Sequence, residues 1–151
     1  MTEIIDYEEK YAPVFKALNM IWLDQYDLVE EHDLQILDDP KGQILDTGGV
    51  IYLAKIDDEI VGTAGLAHEG DGVYELVKMS VTPAHQGKGI SRLLIDKCLD
   101  KARELDAKKV ILFSNSQLKT AIGLYERYGF KHLTGFDAPY ESADVKMELT
   151  L

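Results

Sequence analysis

Residues 73–91 have the sequence VYELVKMSVTPAHQGKGIS, an apolar run followed by a loop with two glycines. The run Val73–Val81 predicts a β-strand, and the apolar positions of Gly89–Leu105 recur with the spacing of an amphipathic helix. A second apolar run, Val110–Phe113, predicts another strand. A strand, a helix and a strand in this order form a right-handed crossover, which makes the two strands parallel. The sheet therefore has one parallel junction, where ligands often bind at strand ends.

The segments on either side of this unit predict further strands and two more helical regions. Turn residues separate two β-branched runs that precede Val73–Val81. These two runs and the strand Val73–Val81 are therefore expected to form an antiparallel meander. The remaining predicted elements are a strand at Thr2–Asp6, helices at Tyr7–Leu23 and Leu28–Leu37, a turn at 39–42, strands at Val50–Ile56 and Ile60–Ala67, a helix at Leu118–Tyr128 ending at Gly129, a strand at Val145–Leu149 and an additional strand near Phe130–Leu133. The expected fold class is α+β, with a mostly antiparallel central sheet.

Length and composition indicate one domain over residues 1–151. The single cysteine, Cys98, excludes an intrachain disulfide framework. No apolar run is long enough for a membrane helix, and the acidic start lacks the order of a signal peptide, so we expect a cytoplasmic protein. The four histidines have no metal-ligand spacing, so no metal is expected.

The charge of the chain is unevenly distributed. The net charge of −11 argues against nucleic-acid binding, because phosphate backbones select basic surfaces. Residues 1–75 have a balance of −14 and residues 76–151 a balance of +3. This asymmetry suits a cationic partner on one side and a polyanionic one on the other, although solubility and chance explain it equally well.

The loop 82–91 has the features of an anion site. Gly87 and Gly89 allow backbone N–H groups to approach an anion closely, and they open a helix whose N-terminus has a partial positive charge. Lys88 and Arg92 add full charges, although either could equally be a surface charge. Taken alone, glycines before a helix more often form a plain turn. The loop lacks both GxxxxGK[ST] and GxGxxG, which excludes a nucleotide P-loop and a dinucleotide fingerprint.

Two motifs together resemble the GCN5-related N-acetyltransferase superfamily. The family's pyrophosphate motif, Gln/Arg-x-x-Gly-x-Gly/Ala between a strand and a helix, corresponds here to Gln86, Gly89 and Ser91. Residues 121–130, AIGLYERYGF, resemble the family's A-x-x-LYxxxGF signature, and the order of elements is similar over nearly the whole chain. Ser91 replaces the usual Gly or Ala. Leu118 stands where many members have Asn, and Asn115, one turn earlier, is a candidate substitute.

The resemblance implies a splayed pair of strands, helices on both faces of the sheet and a site for acetyl-coenzyme A as co-substrate. Pantetheine would pair with the backbone of the strand at 73–81, and the Met79 N–H would polarise the thioester carbonyl. The alternative for Met79 and Val81 is core packing. The expected cofactor-binding residues are Met79, Ser80, Val81, Gln86, Gly87, Lys88, Gly89, Ile90, Ser91, Arg92, Asn115 and Tyr125.

The resemblance also implies catalytic and substrate-binding residues. Tyr125 is the candidate acid for the departing thiolate, with a structural tyrosine as the alternative. Glu75 is the candidate base, since burial raises a carboxyl pKa toward useful base strength; it could instead face solvent or only bind the substrate ammonium. Trp22 and Tyr26 are candidates for the wall of the acceptor pocket, or for a core edge and a solvated turn.

These features predict an N-acetyltransferase that moves an acetyl group from acetyl-CoA to a primary amine by direct attack in a ternary complex. The acidic N-terminal half hints at a cationic acceptor, a small molecule or a peptide, such as a polyamine, a lysine side chain or a peptide N-terminus. The alternatives are a CoA-binding module without turnover and an enzyme that uses a longer acyl-CoA. Dimers are common in the resembled family, so a homodimer is a further expectation.

Overall fold

The computed structural model describes residues 1–138 and 141–151, and these ranges form a seven-stranded mixed sheet. The strands are β1 (Thr2–Asp6), β2 (Val50–Ile56), β3 (Glu59–Gly70), β4 (Val73–Val81), β5 (Lys109–Ser114), β6 (Lys131–Leu133) and β7 (Val145–Thr150). Their order across the sheet is β1-β2-β3-β4-β5-β7-β6. Within the described residues every neighbouring pair is antiparallel except β4 with β5. The predicted α+β class and its single parallel pair are confirmed.

Four α-helices cover the two faces of this sheet. They are α1 (Ala12–Gln25), α2 (Glu31–Asp38), α3 (Ile90–Glu104) and α4 (Lys119–Arg127). Phe15 of α1 and Leu37 of α2 are buried in one apolar cluster with Leu53 of β2. Leu94 of α3 and Leu124 of α4 belong to a second cluster on the opposite face. Removing these apolar side chains from water is the main driving force that holds the helices on the sheet.

The helical segments before β2 differ from their predicted bounds. Tyr7 is buried outside the helix, its N–H donating to the Ile51 carbonyl at 3.1 Å, and α1 begins only at Ala12. α2 begins at Glu31, three residues later than predicted, because Glu30 and Asp33 form a capping box. Where a plain turn was expected, residues Lys41–Leu45 form one π-helical turn that buries Ile44.

The elements after β2 agree closely with the sequence pattern. The β2–β3 connection is a tight turn in which Asp57 and Asp58 both have positive φ angles, of 47° and 66°. Two central residues of this kind are typical of the type I′ turn that joins antiparallel strands. Gly129 follows α4 with φ of 96°, the left-handed C-terminal position that favours glycine. Across residues 1–138 and 141–151, no helix combines the length and apolar character needed to span a bilayer.

Candidate active site

The parallel strands β4 and β5 stay together over only three register pairs, the last of which joins Glu75 with Ile111. β4 then continues to Val81 and β5 to Ser114 without pairing to each other. The two strands therefore diverge, and one backbone edge of β4 is left without a partner strand. This is the splayed pair that the resemblance implied.

Two cavities lie along this divergence. The first, of about 610 Å³, is lined by Glu69, Glu75 and Asp137 among others, and we call it the carboxylate cavity. The second, of about 430 Å³, is lined by residues of the glycine loop, and we call it the loop cavity. Trp22 and Met79 line both. The cavities therefore meet at the open edge of β4.

The loop cavity ends at the N-terminus of α3. Gly87 and Gly89 have φ angles of 77° and 79°, in the left-handed region that glycine adopts without strain. Gly89 is the N-cap of α3, and no side chain donates or accepts a capping hydrogen bond there. The first N–H groups of an uncapped helix and the positive end of its dipole attract an anion. The loop has the geometry of a phosphate site.

Nine of the predicted cofactor-binding residues line the loop cavity: Met79, Ser80, Val81, Gln86, Gly87, Gly89, Ile90, Ser91 and Arg92. The Gln86 side chain donates to the Val81 carbonyl at 3.1 Å, which ties the loop to the end of β4. Lys88 is exposed in the loop but does not line the cavity. Asn115 and Tyr125 line the carboxylate cavity instead. The predicted set is therefore divided between the two cavities.

Helix α4 contributes two cations to the loop cavity, Lys119 and Arg127. Lys119 was, like Lys88 and Arg92, a candidate from the sequence for pairing with phosphates or for a plain surface charge, whereas Arg127 was not singled out. The two lie eight residues apart on α4, or about two turns. That two-turn spacing from Lys119 is the signal from which Arg127 could have been found. With Arg92 at the start of α3, these two cations make the loop cavity electropositive in a chain whose net charge is −11.

Strand β4 has a β-bulge where it becomes an open edge. The β3–β4 register shifts between Thr63 and Gly65, so that Lys78 and Met79 lie opposite a single residue of β3. Lys78 has φ of 50°, and its carbonyl accepts a hydrogen bond from Thr63 Oγ1 at 2.8 Å. Because a trans peptide is planar, the Met79 N–H points away from β3, toward the open edge.

Glu75 belongs to the last parallel pair, three residues before Lys78 of the bulge, and lines the carboxylate cavity. Burial raises the pKa of its carboxyl to about 8, and repulsion by Glu69 and a hydrogen bond with Glu69 act in the same direction. Lys78 and Lys146 oppose this rise in pKa. A carboxyl that ionises just above neutral pH has the strength expected of a general base.

Tyr125 is 8% exposed and lines the same cavity from α4. Its ring packs against Phe130 with a centroid distance of 5.9 Å. Burial raises the pKa of its hydroxyl further above the usual value, and Cys98 adds to this. The hydroxyl therefore retains its proton across the physiological range, as a general acid must.

The two residues predicted for the acceptor pocket occupy different positions. Trp22 lies at the meeting point of the cavities, whereas Tyr26 lines the loop cavity and not the carboxylate cavity. Asn115, predicted on the cofactor, donates from Nδ2 to the Ser142 carbonyl at 2.7 Å and accepts from the Gln117 N–H at 2.9 Å. Both polar ends of the Asn115 side chain are therefore engaged by the protein.

The sequence did not indicate several residues of the carboxylate cavity. Asp33 and Lys78 form an ion pair there, with side chains 5% and 7% exposed. The Glu30 carboxylate accepts from the N–H of Ser142 at 3.0 Å, which holds this residue of the cavity wall to the N-cap of α2. The region 134–143 carries no motif, and its residues 139–140 lie outside the described ranges. Within those ranges no group of three His, Cys, Asp or Glu side chains could hold a metal ion.

The model of the Acetyltransferase (GNAT) family matches residues 13–130, well over half of the chain. The uncharacterized N-acetyltransferase YjgM of Escherichia coli (strain K12) is 37% identical over 90 residues, which cover 57% of this chain and 53% of YjgM. The chain thus spans about half the length of this relative.

Solved structures share the fold over the full length of the chain. An acetyltransferase of the GNAT family from Staphylococcus aureus Mu50 superposes with a TM-score of 0.91 at 21% identity, over 99% of both chains. PaiA N-acetyltransferase from Thermoplasma acidophilum, in complex with coenzyme A, superposes with a TM-score of 0.77 at 16% identity, over 100% of this chain and 99% of that one. The family match includes both the glycine loop and α4, and the chain belongs to the acetyltransferase (GNAT) family.

Proposed function

We propose that this protein is an N-acetyltransferase that moves an acetyl group from acetyl-CoA to a primary amine by direct attack in a ternary complex. The observation that carries the proposal is the meeting of two cavities at Trp22 and Met79, which line both. One cavity ends at an uncapped helix N-terminus with cations around it, and the other contains a carboxyl and a buried hydroxyl. Such an arrangement suits two substrates that react where the cavities join.

The loop cavity fits coenzyme A by its chemistry. The N–H groups at the start of α3 and the side chains of Arg92, Lys119 and Arg127 suit phosphates. The open edge of β4 offers backbone groups to the amides of a pantetheine chain, as β-sheet edges do for extended peptides. The T. acidophilum structure of the same fold is a complex with coenzyme A, which supports this choice of ligand.

Acetyl-CoA supplies the acetyl group as a thioester, whose C–S bond breaks as the C–N bond of the product amide forms. The Met79 N–H stabilises the negative charge that develops on the carbonyl oxygen. The Glu75 carboxylate takes a proton from the acceptor ammonium, which leaves a neutral, nucleophilic amine. The Tyr125 hydroxyl donates its proton to the leaving thiolate. The nitrogen gives up its second proton to solvent as the amide forms. The proton held by Glu75 also passes to solvent, and the Tyr125 hydroxyl is reprotonated from solvent, so that one proton is released in each turnover.

The carboxylate cavity favours a cationic acceptor. Its wall includes the side chains of Glu69, Glu75 and Asp137, while the charge of Lys78 is balanced by Asp33. A wall rich in acidic side chains attracts ammonium groups and disfavours carboxylates. We therefore propose an acceptor with one or more ammonium groups near the reacting amine, either a small molecule or a peptide.

Release of free thiol from acetyl-CoA across an amine panel tests the proposed function. The panel contains diamines and polyamines, lysine peptides, free amino acids and dicarboxylic amino acids. We expect polyamines or lysine peptides to accelerate thiol release and dicarboxylic amino acids to have little effect. Tight CoA binding without acceleration by any amine would favour a binding module. Faster release from longer acyl-CoA esters than from acetyl-CoA would contradict the acetyl assignment.

A second prediction concerns the role of Gly89 of the glycine loop in CoA binding. Gly89→Ala should weaken CoA binding by about tenfold, because alanine resists the left-handed conformation and shifts the N–H groups that face the phosphates. An added Cβ at Gly89 would meet nothing within 4 Å, so the effect comes from the backbone alone. Quenching of the single tryptophan, Trp22, which lines both cavities, provides the affinity measurement.

Gly70→Ala is the matched control for this variant. Gly70 also has a positive φ, of 89°, and also has nothing within 4 Å of an added Cβ, but it is the last residue of β3, before the turn into β4 and away from the loop. Both variants should lose a similar amount of thermal stability, and only Gly89→Ala should lose CoA affinity. Equal affinities in the two variants would contradict the phosphate role of the loop.

A further inference from the structure

A chain of hydrogen bonds runs from the meeting point of the cavities into the core and returns to the bulge of β4. Trp22 Nε1 donates to Asn19 Oδ1 at 3.3 Å. Asn19 Nδ2 donates to Thr63 Oγ1 at 3.1 Å, and the Thr63 hydroxyl donates to the Lys78 carbonyl at 2.8 Å. Asn19 and Thr63 are both 0% exposed, so neither side chain can contact a substrate.

The direction of every proton in this chain is determined by its partners. The Trp22 indole can only donate, and the Phe15 carbonyl, which accepts from Asn19 Nδ2 at 2.9 Å, can only accept. These two contacts orient the Asn19 amide with its nitrogen toward Thr63. Because the Thr63 hydroxyl accepts from Asn19, its own proton is available only for the Lys78 carbonyl.

The Lys78 carbonyl and the Met79 N–H belong to one planar peptide unit. A hydrogen bond that fixes the carbonyl therefore also fixes the direction of the N–H. The Lys78 side chain is held independently by its ion pair with Asp33. The bulge residue, whose φ of 50° is uncommon for a residue other than glycine, is thus anchored at both its side chain and its carbonyl.

The Thr63 hydroxyl gives a hydrogen-bond partner to the Lys78 carbonyl, a backbone group that no substitution removes. Thr63 faces Leu53 across the β2–β3 register, in an otherwise apolar layer under α1. We explain the Thr63 hydroxyl by its hydrogen bond to the Lys78 carbonyl, which orients the peptide unit between Lys78 and Met79.

We propose that Thr63 and Asn19 are positioning residues that hold the Met79 N–H in line with the thioester carbonyl. The inference rests on the proposed function, because it assumes that a thioester lies at the junction of the cavities. Beyond the proposed function, we infer that the Thr63 and Asn19 side chains align the Met79 N–H before substrate binds. These side chains, on β3 and α1, contact neither substrate. Preorganised donors of this kind lower a barrier because they do not have to reorient during the reaction.

The test uses acetyl-CoA labelled with ¹³C at the carbonyl and bound to the protein without an acceptor. Isotope-edited infrared spectroscopy measures the carbonyl stretch, which moves to lower frequency when the oxygen accepts a hydrogen bond. We expect this shift in the natural protein, its loss in Thr63→Val and its recovery in Thr63→Ser. With an amine from the panel, kcat of Thr63→Val should fall about tenfold while KM for acetyl-CoA stays within about twofold.

Leu53→Val is the matched control, since it perturbs the same layer next to Thr63 without removing a hydrogen bond. It should retain the carbonyl shift and kcat. A shift retained in Thr63→Val, or lost equally in Leu53→Val or Thr63→Ser, would overturn the positioning role alone. No shift in the natural protein would overturn the Met79 assignment and this inference with it. Thr63→Ala removes the same hydroxyl and replaces the valine variant if that variant does not fold.

Discussion

Replacing Glu75 with glutamine is expected to lower kcat/KM near neutral pH by about a hundredfold and to remove the dependence of rate on its ionisation. In the natural protein the rate should rise as the pH passes through about 8, where burial and the proximity of Glu69 place the pKa of the Glu75 carboxyl. Glutamine keeps the shape of the side chain but cannot accept a proton. The measurement is the pH profile of kcat/KM with a single amine.

Glu69→Gln provides a matched comparison for this profile. Glu69 raises the pKa of Glu75 through repulsion and a hydrogen bond, so its replacement should move the midpoint of the profile to lower pH without abolishing the rise. An unaltered rise in the Glu75→Gln variant would show that another group or a water molecule is the base. A midpoint unchanged in Glu69→Gln would contradict the coupling between the two carboxyls.

The same carboxyl should make the stability of the protein depend on pH. The Glu75 pKa is about 8 in the folded protein against an ordinary value of 4.5, so the unfolded chain gives up this proton first as the pH rises. The free energy of unfolding therefore falls between about pH 4.5 and 8 and is not lowered further by this group above that range. The Tm of Glu75→Gln should exceed that of the natural protein above pH 8, with a difference that shrinks toward pH 4.5.

Replacing Tyr125 with phenylalanine is expected to lower kcat by about ten- to a hundredfold and to leave CoA affinity nearly unchanged. The substitution removes the hydroxyl of a residue that lines the carboxylate cavity but preserves the ring that packs on Phe130. Burial raises the pKa of this hydroxyl, so its ionisation should cause no fall in the rate of the natural protein on the alkaline side. Steady-state rates and Trp22 quenching measure the two quantities.

Tyr52→Phe is the control for the Tyr125 variant. Tyr52 is 5% exposed, belongs to the same apolar cluster as Tyr125 and lines neither cavity. Its substitution removes a buried hydroxyl from the same core and should leave kcat unchanged. If Tyr125→Phe turned over as fast as Tyr52→Phe, Tyr125 would not be the acid and the thiolate would be protonated by solvent.

The elements that were predicted correctly are those whose signals are local. The glycine loop and α3 follow from Gly87, Gly89 and the helical spacing after them, because a positive φ and an amphipathic face depend on adjacent residues. The segments before β2 were predicted less well. The π-helical turn at Lys41–Leu45 buries Ile44 beneath the sheet, and such long-range burial leaves no periodic pattern in five residues.

The residues of the candidate site likewise fall into a group that a local motif predicts and a group that it does not. Half of the residues that line the loop cavity lie within residues 79–92, so a motif locates them together. Asn115, predicted on the cofactor, lines the carboxylate cavity, and Tyr26, predicted in the acceptor pocket, lines the loop cavity. Their neighbours in space come from other segments, and the tether between Asn115 and Ser142 spans 27 residues of chain. No local pattern records such a contact.

The sequence by itself determined the order of strands and helices, the parallel crossover and the uncapped glycine loop, since each depends on residues close together in the chain. Only the tertiary structure decided where the strands diverge, that a bulge at Lys78 turns the Met79 N–H outward, and that Asp33, Thr63 and Asn19 hold that bulge. The physical reason is that buried polar groups must find partners wherever the fold places them. Those partners lie 15 to 45 residues away in the chain, beyond the reach of any local pattern.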